Sequence, residues 1–311
     1  MQILILTNSH DGSANIIQEI LLKKKLKFFR WNVDLWEKYE IYFDQDHFFI
    51  SDPLNNSASS KSDLKILWRK PFTDLMDFNF LKNDEIKKSD IKYAKSEMKA
   101  IIHSIMACTR GKKKHFIDPI DEHRLPKLKK LNIAKKYFKT LSYEFSIQKK
   151  KKNFKQSITK PLNSAEVGDK TLYTTKVNQD ELSRPYPWFI QEAIIGGRDV
   201  TCVYIKGEVF FYYCEYKRGD KTIDWRTEIN TENQSKWQPF VNENLKELNN
   251  KVRYLMNELD LNYGRLDFIE DKENLYFLEV NPNGQFGWLD FIDNDKKFKL
   301  HNKFVDAFLN D

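Results

Sequence analysis

The sequence predicts an α/β layer followed by an α+β region rich in antiparallel strands. Three observations point to it. Near the N-terminus, apolar strand-like runs flank a helical stretch, the pattern of a small layer with a partly parallel sheet. A long helical region and a change of composition near Gly111 then interrupt that pattern. Beyond this point apolar runs come in pairs around polar turns, as hairpins do.

The elements follow in order. "MQILILT" at the start is an unbroken apolar run, as in a buried strand. "NSHDGSANIIQEILLKKK" continues with a polar start and helical spacing, and "KFFRWNVD" is a second strand. "YEIYFDQDHFFISD" alternates apolar residues around "DQD" and reads as a hairpin, and "LKILWRKP" is a further strand. Apolar residues at three-to-four spacing predict a helix from Glu85 to Thr109. "GKKKHFIDPIDEHRLPKLKKLNIAKKYF" reads as a linker entering a helix near Pro126, a residue suited to a first turn. Strands follow at "KTLSYEFSIQ" and "QSITKPL", on either side of the run Lys149–Lys152, then at "KTLYTTKV", "YPWFIQEAI" and "DVTCVYIKGEVFFYYCEY". A helix from Asn242 to Leu259 precedes a last hairpin, "GRLDFIEDKENLYFLEVNPNG". No internal repeat or low-complexity domain interrupts the series.

Composition bounds the possibilities. With 311 residues, 41% hydrophobic and 14% aromatic, the chain is globular and long enough for two to three domains with real cores. Charged residues make up 31% and the formal net charge is +7, a balance that favours anionic partners. Lysine is abundant throughout, however, and a lysine run on such a background is ordinarily a solvated face. Cys108, Cys202 and Cys214 are widely spaced and odd in number, and no CxxC pair exists, so neither a zinc knuckle nor a disulfide scaffold is suggested. "MQILILTNSHDG" lacks a basic flank and its apolar run is too short for a signal peptide. No stretch approaches the length of a membrane span. The expected location is a reducing cytoplasm.

The chemistry concentrates in the last hairpin. If Asp267 pairs opposite Glu279, then Leu266, Phe268, Leu278 and Val280 fall on one apolar face, and Arg265, Asp267, Glu279 and Asn281 on the other. Two carboxylates that close repel unless a cation neutralises them. Their hard oxygen donors, with an amide beside them and no His or Cys, suit magnesium. The plain alternative is a polar strand end followed by an Asx turn in "NPNG". Magnesium held this way commonly carries substrate phosphates, yet there is no GxxxxGK[ST] loop and no protein-kinase motif set. Isolated cations must then meet the phosphates: Lys160 at a strand end, Lys127 opening a helix, and Arg226 in the polar turn "DKTIDWRT".

The ordered segments "KLKKLNIAKKYF", "SITKPL", "PWFIQEAIIGGRDV", "DWR", "GRLDFI" and "FLEVNPNGQF" resemble the ATP-grasp superfamily, and most of all the graspetide synthetases, the microviridin-type peptide-modifying ligases. "WRKPF" around Arg69 and Arg30 in "FFRWN" resemble the N-terminal domain of that family. The resemblance implies an ATP-grasp fold. It has an N-terminal α/β domain over residues 1–110, a small subdomain over 111–190 and a C-terminal subdomain with the metal site over 191–311, the last two clasping ATP. It implies that Lys127 and Lys160 touch phosphates, that main-chain groups near Gln191, Glu192, Ala193 and Ile194 meet adenine, and that Asp199 lies by the ribose. Asp267, Glu279 and Asn281 would be the magnesium ligands. Arg226 would stand near the transferred phosphate and the acceptor carboxylate. Many relatives carry an arginine two residues after the acidic position; Thr201 occupies that place here, and Arg198 is the residue expected to supply the charge from the other side.

The implied activity is ATP-dependent phosphorylation of Asp or Glu carboxylates in a precursor peptide, then ring closure by a Thr or Ser hydroxyl or a Lys amine. ATP and Mg2+ are the implied cofactors. "LNSAEVGDKTLYTT" is a candidate lid against water, and Arg30, Arg69 and the run near Lys149 are candidate contacts for an acidic peptide. The implied partner is a precursor with a leader and an acidic core; neither nucleic acid nor membrane is expected, and a homodimer is implied by the resemblance alone. A ligase that adds an amino acid to a protein or small-molecule carboxylate is the alternative within the superfamily. A basic protein binding nucleic acid through its lysine runs and 23 phenylalanines is the alternative outside it.

Overall fold

The structure is a computed structural model. It describes residues 1–45, 47–76, 88–109, 115–147, 154–162, 166–167, 170–182, 186–217, 237–272, 274–292 and 297–311. The chain packs as two units. One comprises residues 1–123, 285–291 and 295–311, the other residues 124–284 and 292–294. The resemblance implies three parts, over 1–110, 111–190 and 191–311; the two units divide first at 123/124, and residues 285–291 and 295–311 belong to the first of them.

In the first unit β1 (Gln2–Thr7) is buried at every position and lies between β2 (Phe28–Asn32) and β6 (Leu64–Trp68), parallel to both. Burial on both faces explains its unbroken apolar sequence. Helix α1 (Gly12–Lys23) makes the crossover to β2; the Asp11 carboxylate caps it by accepting from the Ser13 and Ala14 amides at 3.1 and 3.3 Å. β3 (Glu40–Phe43), β4 (Phe48–Ser51) and β5 (Ser57–Ser59) form an antiparallel meander. One core joins Leu4, Leu6, Phe29 and Trp31 to Phe48 and Ile50 of the meander and to Ile102, Ile105 and Met106 of α2 (Lys88–Thr109).

Both arginines expected to touch a peptide have partners within this unit. Arg69 is fully buried, with Nη2 3.0 Å from Gln285 Oε1 and Nε 3.7 Å from Asp11 Oδ2. Arg30 donates to Asn32 Oδ1 at 2.8 Å and to the Asn8 carbonyl at 3.1 Å. For Arg69 the acceptors follow from its burial, because a buried guanidinium is retained only where acceptors surround it; Arg30 is half-buried.

α3 (Ile120–Arg124) lies at the boundary of the two units; in the second, α4 (Lys127–Ala134) follows Pro126, which stands at its N-cap. The stretch "KTLSYEFSIQ", expected as one strand, is two: β7 (Lys139–Thr140) and β8 (Tyr143–Ser146) belong to different sheets. β8, β9 (Ser157–Thr159), β12 (Thr175–Lys176) and β13 (Trp188–Glu192) form a four-stranded antiparallel sheet in the order β12-β9-β13-β8. Between β9 and β12 lies the small pair β10 (Glu166–Val167) and β11 (Lys170–Thr171), within the stretch expected as a lid; residues 163–165 and 168–169 of that stretch lie outside the described residues.

The larger sheet runs β16-β15-β14-β17-β18-β7. Its hairpin of β14 (Arg198–Ile205) and β15 (Glu208–Lys217) turns at Lys206 and Gly207, both at positive φ, the geometry a two-residue turn between right-twisted strands needs. β16 (Trp237–Pro239) lies at one edge, and α5 (Leu245–Glu258) lays Val252, Leu255 and Met256 on the core. β17 (Tyr263–Glu270) and β18 (Leu275–Asn281) form the last hairpin. Phe268 packs within 5.1–5.7 Å, centroid to centroid, of Phe138, Phe211 and Phe277. These four phenylalanines are core residues. A final helix absent from the sequence reading, α6 (Lys299–Leu309), packs in the first unit; Asp290 caps it, accepting from the Leu300 and His301 amides at 2.7 and 2.9 Å.

Candidate active site

β17 and β18 pair antiparallel with Asp267 directly opposite Glu279 and Arg265 opposite Asn281, the register expected from the sequence. Leu266, Phe268 and Val280 are buried in the core on the other face, also as expected. Leu278 is not there. The register shifts by one residue between Asp267 and Phe268, so that Phe277, not Leu278, pairs opposite Phe268. A bulge of this kind sends the extra residue to the opposite side. Leu278 therefore packs with Ile269 and Leu141, apart from the main core.

These three apolar residues line a cleft together with Ile158, Lys160, Thr174, Glu192, Ala193 and Ile194. Each sheet contributes a wall. The crossing between β7 and β8 supplies Leu141, the larger sheet Ile269 and Leu278, and the smaller sheet the rest. Lys160 follows β9, so a rigid strand end carries its charge into the cleft.

Four of the expected nucleotide-contact residues thus converge on one cleft: Lys160, Glu192, Ala193 and Ile194. The amides of Glu192 and Ala193 already donate to the Ser142 and Gln156 carbonyls, at 2.9 and 3.0 Å. Main-chain contacts with a base are therefore narrowed to the carbonyls and the Ile194 amide. Gln191 is fully buried, and among the described residues neither its carboxamide oxygen nor its nitrogen has a hydrogen-bond partner. An amide buried without partners costs folding free energy unless a bound group completes it. Asp199 is buried on β14 opposite Ile269, on the same face as Thr201, which pairs opposite Asp267.

The carboxylate face is dense in charge. Asp267 accepts from the Thr201 hydroxyl at 3.0 Å and from Arg265 Nη2 at 2.8 Å. Lys127 Nζ lies 2.7 Å from Glu279 Oε2. Burial pushes the Glu279 carboxyl up, but the cations Lys127 and Lys160, the Lys127 hydrogen bond and Arg265 together hold it well below the usual carboxylate range. Asn281 Oδ1 accepts from the Asn283 amide at 3.0 Å, so the Asx turn forms as well and coexists with an oxygen aligned beside the two acids. Among the described residues no three His, Cys, Asp or Glu side chains gather as a metal site; the face offers two carboxylates and an amide. Hard oxygens of this number, each now met by a cation or a donor, fit magnesium.

Arg198 is not on this face. Side chains alternate along β14, which places Arg198 with the core residues Val200 and Cys202. Its Nε lies 2.8 Å from Glu270 Oε2 and its guanidinium 4.1 Å from the Tyr213 ring centroid. The role expected for it toward a substrate carboxylate is not supported by this position. Arg226 lies outside the described residues, as does the run Lys149–Lys152. One residue of the site escaped the sequence reading: Thr201, noted only as a departure, whose hydroxyl donates to Asp267. Arg265 was placed on this face by its period-two spacing from Asp267, but without a role.

Two α+β layers closing on a cleft make up the ATP-grasp fold, and the chain has that fold. It is similar over its length to the macrocyclase MdnC from Microcystis aeruginosa MRC, solved with the precursor peptide MdnA (20% identity, 100% of both chains, TM-score 0.78). It is also similar to a RiPP-associated ATP-grasp ligase from Chryseobacterium gregarium, solved with ADP and a leader and core peptide (19% identity, 99% of this chain and 96% of that one, TM-score 0.80). The ligase PsnB, solved with a phosphomimetic variant of a minimal precursor, Mg and ADP, matches at 13% identity over 99% of this chain and 97% of that one, with a TM-score of 0.69. No sequence-family model and no curated protein sequence matches the chain. Among the described residues no helix is long and apolar enough to cross a membrane.

Proposed function

We propose that this chain is an ATP- and magnesium-dependent peptide ligase. It phosphorylates Asp or Glu side chains of a ribosomally made precursor peptide and closes macrocyclic esters or amides with Thr, Ser or Lys. The observation that carries the reading is the pairing of Asp267 with Glu279 beside a cleft into which Lys160 and the Glu192–Ile194 segment project. The similar structures support it, since they were solved with ADP, Mg and precursor peptides.

In this reading the cleft takes the base between Leu278, Ile269 and Ile158, with the Gln191 amide and Ile194 reading its edge and Asp199 the ribose. Lys127 and Lys160 hold phosphates. Asp267, Glu279 and Asn281 hold magnesium, which when bound neutralises charge on the transferred γ-phosphoryl. Thr201 and Arg265 keep Asp267 in place. Arg226 is retained as the proposed arginine near the transferred group. A carboxylate is a poor electrophile; taking the γ-phosphoryl from ATP turns it into an acyl phosphate and releases ADP. The hydroxyl or amine then attacks the acyl carbon, the phosphate leaves with the bonding pair, and the nucleophile gives up its proton. Positioning and charge neutralisation carry most of such a reaction.

The test is mass spectrometry of a candidate precursor incubated with the protein, ATP and Mg2+. Each ring closed removes the mass of one water. A peptide that gains an amino-acid residue instead assigns the chain to the amino-acid-adding ligases, and an unmodified peptide with no ADP formed counts against both.

A further inference from the structure

We infer that Lys127 guards the metal face: without nucleotide its ammonium occupies Glu279, and a divalent cation gains that carboxylate only when nucleotide phosphates draw the lysine away. This rests on the proposed ATP and magnesium reading and adds an order and a coupling to it.

The geometry is specific. Lys127 Nζ sits 2.7 Å from Glu279 Oε2 and 3.4 Å from the Pro161 carbonyl, the residue after Lys160. The Lys127 side chain is 15% exposed and the Glu279 side chain 33%. The more buried ammonium therefore lies against a carboxylate that remains open to incoming ions. Magnesium needs a carboxylate oxygen at about 2.0–2.1 Å. An ammonium in contact with that same carboxylate would then face a dication only a few ångströms away, a repulsion poorly screened at a part-buried site. Metal entry thus requires Lys127 to leave.

Where the lysine goes decides the energetics. Moved off Glu279 with no new partner, a largely buried ammonium loses its counter-charge, which is costly. Moved onto a triphosphate, it keeps one. The free energy lost in the first case and recovered in the second is a coupling between metal and nucleotide, and such a coupling is reciprocal. Arg265 stays on Asp267 throughout, being fixed on β17, so the exchange is confined to one cation. Release runs the same path backwards: once the phosphates depart, Lys127 returns to Glu279 and expels the metal.

The experiment titrates the full-length protein with Mn2+, read by its electron paramagnetic resonance signal, with and without a non-hydrolysable ATP analogue. The wild type should bind Mn2+ at least about tenfold more tightly with the analogue, in line with ordinary coupling free energies. Lys127→Met keeps the stem and removes the charge. It should bind Mn2+ alone more tightly than the wild type does, although it weakens the analogue. Lys127→Arg should restore weak binding of Mn2+ alone. Equal Mn2+ affinity of the wild type with and without analogue overturns the inference by itself, whatever the variants do. So does a Lys127→Met protein whose affinity for Mn2+ alone is unchanged or lower. Absence of Mn2+ binding to the wild type even with the analogue removes the metal reading itself, and the guard with it.

Discussion

Asp267 and Glu279 face each other as a directly opposed pair on β17 and β18, with the Lys127 ammonium on one and the Arg265 guanidinium on the other. Opposed acids on adjacent strands repel, so the hairpin carries a local cost that cations must offset. Replacing Glu279 with Ala is expected to abolish ATP turnover while the far-ultraviolet circular dichroism stays that of the wild type, because the apolar face of the hairpin is untouched. ADP formation is the measurement, and undiminished turnover would remove Glu279 from the metal set.

Gly284 closes the turn after the site. A Cβ placed there would lie 2.6 Å from Arg265 Cβ, an atom held by the β17 backbone rather than at the end of a flexible chain. Gly284→Ala should therefore push the turn away from β17 and lower stability by about 1–3 kcal/mol, the usual size of overpacking. It should also weaken Mn2+ binding in the presence of nucleotide. Chemical denaturation and the Mn2+ titration check the two effects; full stability would mean the turn has room to spare.

Gln191→Met tests the buried amide with effects of opposite sign. The substitution keeps volume and removes two buried polar atoms that lack partners among the described residues. An unsatisfied buried group costs about 1–3 kcal/mol, so the nucleotide-free protein should melt at a higher temperature. Nucleotide affinity should fall, by roughly tenfold or more for a lost buried hydrogen bond. Calorimetry of both species decides; lowered stability together with unchanged affinity would make Gln191 an ordinary core residue.

The thiols report on pH. Burial pushes the Cys202 thiol well above its ordinary value, the Phe210 backbone contact opposing this weakly and the Asp267 charge adding to it. An acid whose pKa is raised by folding stays neutral in the native state after it has ionised in the unfolded one. Its contribution to stability is complete below the unfolded thiol value of about 8.5 and declines as pH rises from there toward the folded value. A thiol reagent at pH 8 should label the exposed Cys108 quickly and the buried Cys202 and Cys214 only on unfolding. Rapid labelling of all three would contradict the packing of β14 and β15.

The hairpin shows how far local pattern reaches. Alternation along "GRLDFIE" and "FLEVN" was enough to oppose Asp267 to Glu279 and to put Phe268 and Val280 inside, because a strand's period of two is written in adjacent residues. The same alternation misplaced Leu278. Its side depends on a one-residue bulge against β17, and that shift puts Leu278 with Ile269 and Leu141 in the cleft. Nothing within β18 announces it.

Partners distant in sequence were illegible for the same reason. Arg69 was a candidate contact for an acidic peptide, yet it is fully buried and donates to Gln285, 216 residues away. Arg198 was assigned to substrate and is held by Glu270 and Tyr213. "KLHNKFVDAFL" carries Leu300, Phe304, Val305 and Phe308 at helical spacing and was still overlooked, since a helix at the chain end gives no sign of which unit receives it.

By itself the sequence determined most of the elements, the order in which they come, and a set of hard oxygen donors and cations of the kind that suits a nucleotide and magnesium. Tertiary structure alone decided which cation meets which acid, which apolar residue turns into the cleft, and which arginines are withdrawn from solvent. Periodicity and side-chain chemistry belong to neighbouring residues. Ion pairs, bulges and burial belong to segments brought together only by folding, where desolvation makes each charge take whichever partner lies within reach.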